Sequence, residues 1–254
     1  MTGATSGIGA AFARALARRG WDLVLVARDA DRLEREANGY RRQGRAVEVL
    51  RADLADRADV DRVAARLEDA ARPVDLLVNN AGFSVREPLT GTDVAQHDRA
   101  FEVMVRAVLV LSGAAGRAMR ARGRGHIVNV GSTAGRMTMG GYSAIKAWVT
   151  VFTEGLSNEL RGTGVTAMVL EPGWVRTEFH ERAGISASSM PSALWLDADD
   201  LVEAALKDLG RGVVVSTPSL RYKALMLVAR HGPRSGIRRV SRALSSRRSA
   251  SLSP

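Results

Sequence analysis

The sequence predicts an α/β chain, a single domain built on a doubly wound parallel sheet, and three observations predict it. Short apolar runs alternate with helical stretches of about ten to twenty residues through most of the 254 positions, the pattern of repeated βαβ units. The glycine-rich and polar segments fall just after the apolar runs, where open α/β sheets bind their ligands. The length suits one large domain with a full core, and neither an internal repeat nor a Pro-, Gly- or Ser-rich linker interrupts it before the C-terminal tail.

Each element follows from local chemistry. Residues 2–9 read Thr-Gly-Ala-Thr-Ser-Gly-Ile-Gly and run into the Ala-rich stretch Ala10–Ala17, a tight turn opening a helix. Leu23–Ala27 is a strand, Asp29–Gln43 a helix, Ala46–Ala52 a strand and Arg57–Ala71 a helix. Asp75 to Asn79 is a buried strand running into Asn79-Asn80-Ala81-Gly82. Thr92–Arg122 reads as one long helix, and His126–Ser132 as a strand that carries the serine at its C-terminal end. Tyr142–Arg161, Val165–Leu170 and Ala198–Leu209 follow as helix, strand and helix. The Ser-rich stretch before Met190-Pro191 reads as a mobile loop. Residues 1–217 are expected to form the main unit and residues 218–254 a basic helical extension ending in a disordered tail, Arg247–Pro254.

Composition excludes several classes. Without cysteine there is neither a disulfide framework nor a thiolate metal site. His97, His126, His180 and His231 lack metal-ligand spacing, so no metal is expected. No apolar run approaches the length of a spanning helix, and the glycine-rich turn at the very start leaves no room for a signal peptide, so a cytoplasmic protein is expected. The net charge of +10 is uneven: residues 1–208 balance 27 basic against 27 acidic side chains, whereas residues 209–254 hold ten basic side chains and no acid. Within that tail Leu220, Ala224, Leu227 and Val228, then Ile237, Val240 and Leu244, recur at helical spacing. Two readings stand: a helix covering the substrate pocket with a solvated end, or a surface touching anionic lipid or an acidic partner. Nucleic acid is not expected, since no recognition motif accompanies the charge.

The pair Tyr142 and Lys146 carries the chemistry. A spacing of four puts both on one helix face, and a phenol beside an ammonium ionises more easily. Only three lysines stand against 34 arginines, so a lysine here is not the default cation. With Ser132 ten residues upstream and glycines at 3, 7 and 9, the chain resembles the short-chain dehydrogenase/reductase family from Met1 to about Thr217. The resemblance implies a Rossmann-type sheet and hydride transfer between a nicotinamide and a carbonyl carbon. Tyr142 is the expected proton donor, Lys146 lowers the phenol pKa and holds the nicotinamide ribose, and Ser132 hydrogen-bonds the carbonyl oxygen. Gly3, Ser6, Gly7, Ile8 and Gly9 form the pyrophosphate turn. By the same resemblance Asp53 and Leu54 are expected to meet the adenine, Asn80, Ala81 and Gly82 to flank the cofactor, and Val175 and Thr177 to belong to the segment around the nicotinamide amide.

Arg28, the first residue after the Leu23–Ala27 strand, replaces the acid that would meet a free ribose 2′-hydroxyl, so NADP is expected over NAD, with Asp29 next door as the counter-indication. The resemblance implies a carbonyl or 3-oxoacyl-type reductase acting on a small molecule, a lipid-like chain among the candidates, in a homodimer or homotetramer. The alternative is a non-catalytic NADP-binding protein of the same fold. Two departures from the family pattern matter. The family's first strand should precede Thr2, so that strand is expected to be missing or truncated. Met104 also stands where an Asn usually anchors a water of the proton relay, and a thioether cannot donate a hydrogen bond.

Overall fold

Branched apolar residues dominate the strand segments because a sheet covered on both faces offers them burial and tolerates their stiff χ1. The computed structural model describes residues 1–85, 87–177, 192–231, 235–239 and 241–242. Its strands are β1 (Leu23–Ala27), β2 (Val47–Arg51), β3 (Leu76–Asn79), β4 (Gly125–Val130) and β5 (Val165–Leu170), with two-residue strands β6 (Trp174–Val175), β7 (Trp195–Leu196) and β8 (Val215–Ser216). Every described pairing is parallel, in the order β3-β4-β5-β8 with separate pairs β1-β2 and β6-β7.

The segment Met1–Ala4 fills the space between β1 and β3. Thr2 N donates to Val78 O at 2.9 Å on one side, and Val26 N donates to Met1 O at 2.9 Å on the other. The expected first strand is thus a stub, with Thr2 forming a single parallel bridge to Val26. The Met1 ammonium donates to Val24 O at 2.7 Å, and burial, helped by the charge of Arg66, pulls its pKa down to about 5.

The helices are α1 (Gly7–Arg18), α2 (Ala30–Arg42), α3 (Arg57–Glu68), α4 (Ala95–Phe101), α5 (Ala107–Arg122), α6 (Gly141–Glu159), α7 (Ala198–Gly210) and α8 (Leu220–His231). Aspartates start three of them by accepting early N–H groups: Asp29 from Arg32, Asp56 from Ala58, and Asp197 from Asp199 and Asp200. The stretch read as one helix, Thr92–Arg122, is instead broken by a π-helical turn, Glu102–Arg106, between α4 and α5. A π turn inserts one residue and swings the following side chains, which brings Met104 inward to a fully buried position.

Strand alternation sends residues to opposite faces. Leu77 and Ile127 pack with Val63, Leu67, Leu111 and Met119 of α3 and α5, whereas Val78 and Val128 pack with Phe12 of α1 and Leu201 and Val202 of α7. Each such buried side chain contributes about 1.5–3 kcal/mol. The two-sided core fixes the register of the sheet and sets the carboxyl ends of β1–β5 side by side. Among the described residues no helix is long and apolar enough to cross a membrane. The loop expected at Met190-Pro191, and the tail from Arg247 onward, lie outside the described residues.

Candidate active site

The carboxyl ends of β1 to β5 open onto one cavity of about 820 Å³. Its floor is the glycine-rich turn. Gly3 and Gly7 take φ of +63° and +53°, a region side chains disfavour, and a Cβ at Gly3 would lie 2.8 Å from Asn80 Nδ2. One at Gly7 would stand 3.1 Å from Thr177. Asn80 holds this turn in place: its Nδ2 donates to both Thr2 O and Gly3 O at 3.1 Å, while Asn80 N and Ala81 N donate to Thr2 Oγ1 at 3.0 Å. Ser6 makes no side-chain cap bond to α1, so the first N–H groups of that helix are available for an anion. The cradle fits a dinucleotide pyrophosphate.

Around it the structure brings together Ser6, Ile8, Arg28, Asp53, Leu54, Asn80, Ala81, Gly82, Val175 and Thr177 with Ser132, Tyr142 and Lys146. Gly9 is the one anticipated site residue that does not line the cavity. It is buried under the turn, and a Cβ there would overlap Gly3 O, so its glycine permits α1 to pack against the loop. Asp53 does not stand alone: Arg99 of α4 grips it at 3.0 and 2.8 Å, and Ala55 N donates to it at 3.1 Å. Burial raises the Asp53 carboxyl, but the bonds from Arg99 and Ala55 and the charges of Arg99 and Arg28 prevail and hold it below the usual range.

Lys146 is only 5 % exposed, with its Nζ 5.7 Å from the centre of the Tyr142 ring. Nζ donates to Val130 O at 2.8 Å, which aims the ammonium at the end of β4. Burial in this pocket lowers its pKa from 10.5 to about 8. Ser132 Oγ accepts from Ala134 N at 3.1 Å, closing the 3₁₀ turn Thr133–Arg136. That acceptor bond orients the hydroxyl while its own hydrogen stays available to donate. Met104 packs against Gly82 beside this group: a Cβ at Gly82 would lie 3.1 Å from its Sδ and 3.8 Å from Lys146 Nζ.

One buried carboxylate joins the pieces. Glu171, just after β5, receives Arg136 at 3.0 Å and the Thr150 hydroxyl at 2.9 Å. It therefore ties the turn beyond Ser132 to the helix bearing Tyr142 and Lys146. Gly135 lets the turn sit close, since a Cβ there would be 2.8 Å from Ala147 N. The far end of the cavity is apolar, lined by Met137, Met139, Trp174, Leu225 and Met226 with the ring of Tyr222. Tyr222 accepts from Trp174 N at 3.0 Å and donates to Leu194 O at 2.7 Å, which pins α8 over the pocket. Helix α8 therefore forms part of the cavity wall. Sequence reasoning missed Arg99, Glu171 and this apolar wall, because each joins the site only through long-range packing. Among the described residues no cluster of side chains is set to hold a metal ion.

Comparison with known proteins places this geometry. The family model described as short chain dehydrogenase matches residues 1–186. Gluconate 5-dehydrogenase of Gluconobacter oxydans is 33% identical over 217 residues, covering 81% of this chain and 84% of that protein. The 2,3-dihydro-2,3-dihydroxybenzoate dehydrogenase of Bacillus subtilis is 30% identical over 219 residues, covering 84% and 80%. Among solved structures, a short-chain dehydrogenase from Sphingobium yanoikuyae in complex with NADPH superposes with a TM-score of 0.82 at 39% identity, covering 94% of this chain and 95% of that one. The bulky-bulky ketone specific alcohol dehydrogenase from Comamonas testosteroni does so with 0.79 at 32% identity, covering 94% and 93%.

Proposed function

The chain belongs to the short-chain dehydrogenase/reductase family, and on that premise we propose that it is an NADP(H)-dependent oxidoreductase interconverting a bulky, apolar ketone or aldehyde with its alcohol. The observation that carries this reading is the convergence of Ser132, Tyr142 and Lys146 on one cavity with the glycine-rich turn.

Bound NADP(H) supplies hydride exchange at its nicotinamide ring. The residues of the chain do the rest. Ser132 donates its hydroxyl hydrogen to the substrate oxygen and fixes its direction, the role of an oxyanion donor. Tyr142 passes its phenolic proton to that oxygen in reduction and takes it back in oxidation. Lys146, an ammonium at neutral pH with its pKa near 8, favours the phenolate that this exchange creates and would hold the ribose of the bound cofactor. The glycine turn and the start of α1 receive the pyrophosphate.

Arg28 at the mouth of β1 supports NADP over NAD, since a guanidinium matches a 2′-phosphate. The neighbouring acid, Asp29, is engaged as the cap of α2 through Arg32 N at 2.9 Å, which weakens it as a ribose ligand. The bound NADPH of the Sphingobium relative agrees with this choice. The apolar wall of Met137, Met139, Trp174, Leu225 and Met226 supports a large hydrophobic carbonyl, in line with the bulky ketones named for the Comamonas relative. A cytoplasmic location would supply reduced NADP and make carbonyl reduction the working direction. Phe101, Leu109 and Val151 leave exposed apolar side chains on α4, α5 and α6, which supports association with further copies as a homodimer or homotetramer.

Met104 beside Gly82 and Lys146 favours the second reading, a non-catalytic NADP-binding protein, because it replaces a polar anchor of the proton relay. NADPH oxidation measured with large aryl and alkyl ketones against small ones separates the two. Turnover that favours the large ketones and falls by about 10²–10⁴ in Tyr142→Phe, with NADPH affinity retained, is expected. NADPH binding without turnover of any ketone would establish the second reading instead.

A further inference from the structure

We infer that the outer face of α8 is a docking surface for an anionic lipid bilayer, placed beside the mouth of the substrate pocket. The helix has two faces with different tasks. Tyr222 and Met226 point inward and are buried against the pocket wall. Leu220, Ala224, Leu227 and Val228 follow one another at helical spacings of four, three and one, which places them on one stripe of the opposite face. That stripe is open to solvent: Leu220 is 84%, Leu227 61% and Val228 68% exposed. Arg221 borders it on one side and Lys223 on the other, both exposed. An apolar stripe between two cations is what a helix lying in a membrane interface requires, because the apolar side chains enter the acyl boundary while the cations meet headgroup phosphates.

The charge of the surrounding chain selects the occupant. Residues 209–254 carry ten basic side chains and no acidic one, whereas the remainder of the chain is neutral. A second copy brought face to face would set Arg221 and Lys223 against the same cations of its partner, so self-association through this stripe is opposed. An anionic leaflet attracts the same cations and covers the stripe. Leu225, on the flank of α8 between the two faces, lines the pocket. A docked molecule therefore opens its apolar substrate end toward the bilayer, so that a lipid-dissolved carbonyl reaches the site without crossing water. This last step rests on the reductase reading above, whereas the docking does not.

Flotation of the full chain with vesicles tests it. Vesicles of phosphatidylcholine with about 30% phosphatidylglycerol should carry the protein, and pure phosphatidylcholine should not. Leu227→Gln combined with Val228→Gln, neither of which lines the pocket, should lower the bound fraction by about tenfold. The pair should leave NADPH binding and turnover of a water-soluble ketone unchanged, while slowing reduction of a ketone dissolved in the anionic vesicles. Equal binding to neutral and anionic vesicles, or anionic binding that survives the double substitution, overturns the inference. So does a dimer that the double substitution abolishes, or retention of the protein by an acidic polypeptide but not by vesicles. Absence of ketone turnover in the wild-type chain, with vesicle binding intact, would reject the reductase reading alone.

Discussion

Burying a lysine ammonium costs stability, and Lys146 makes that cost measurable. Its environment lowers its pKa from 10.5 to about 8 through burial alone. Below pH 8 both folded and unfolded chains hold the proton, and the folded state bears the full penalty. Each pH unit between the two pKa values removes about 1.4 kcal/mol of it, because the unfolded chain there binds a proton that the folded chain has released. Above the unfolded value the penalty is gone. Cofactor-free protein should therefore gain about 2 kcal/mol in this contribution between about pH 7.5 and about pH 9.5. Other groups titrate over the same range, so the comparison is with Lys146→Met, which keeps most of the volume and removes the charge. The bond from the neutral amine to Val130 O, absent in the variant, adds an offset independent of pH, and the extra strength it has while Nζ is charged is already contained in the folded-state pKa. Urea unfolding of both proteins at the two pH values gives the difference directly. The advantage of the methionine variant, or its deficit if the lost bond outweighs the charge, should move by about 2 kcal/mol in favour of wild type on raising the pH. A constant difference would mean that Lys146 titrates like an exposed lysine, and the argument from its burial would fail. The same variant should lose reduction of any ketone while cofactor-free folding persists.

Arg28→Asp should weaken NADP binding by about 1.5–3 kcal/mol, roughly ten- to 150-fold, and spare NAD, as read by titration calorimetry; equal losses for both cofactors would reject contact with a 2′-phosphate. Gly9→Ala drives a Cβ into Gly3 O and should lower NADPH affinity by more than about tenfold together with a lower melting temperature; wild-type affinity would show that the turn can move aside. Glu171→Gln removes the charge that receives Arg136 and Thr150. Because Arg136 is partly exposed, the loss should be about 2–3 kcal/mol, or about 5–10 °C in melting temperature. Turnover should fall while NADPH affinity stays, since Ser132 and the Tyr142–Lys146 helix lose their tie; an unchanged kcat would confine Glu171 to stability.

The sequence by itself determined the fold class and the residues that gather at the candidate site. Apolar period and glycine placement depend on neighbours within a few residues, and a parallel sheet then forces the segments after each strand to one edge. Arg28, Asp53, Asn80, Ser132 and the Tyr142–Lys146 pair were legible for that reason, and the cavity gathers all of them. Local pattern could not show that Thr92–Arg122 is broken by a π turn, because the inserted residue changes the helical phase without changing composition. Nor could it show that Gly9 is buried where α1 meets the turn. Only the tertiary structure decided that Arg99 grips Asp53, that Glu171 couples the Ser132 turn to α6, and that Tyr222 fastens α8 over the apolar end. These pairs lie 46, 21 and 48 residues apart. Such contacts arise when the sheet edge closes around a shared space, and the partner that fills it is set by the geometry of the whole core rather than by any local run of residues.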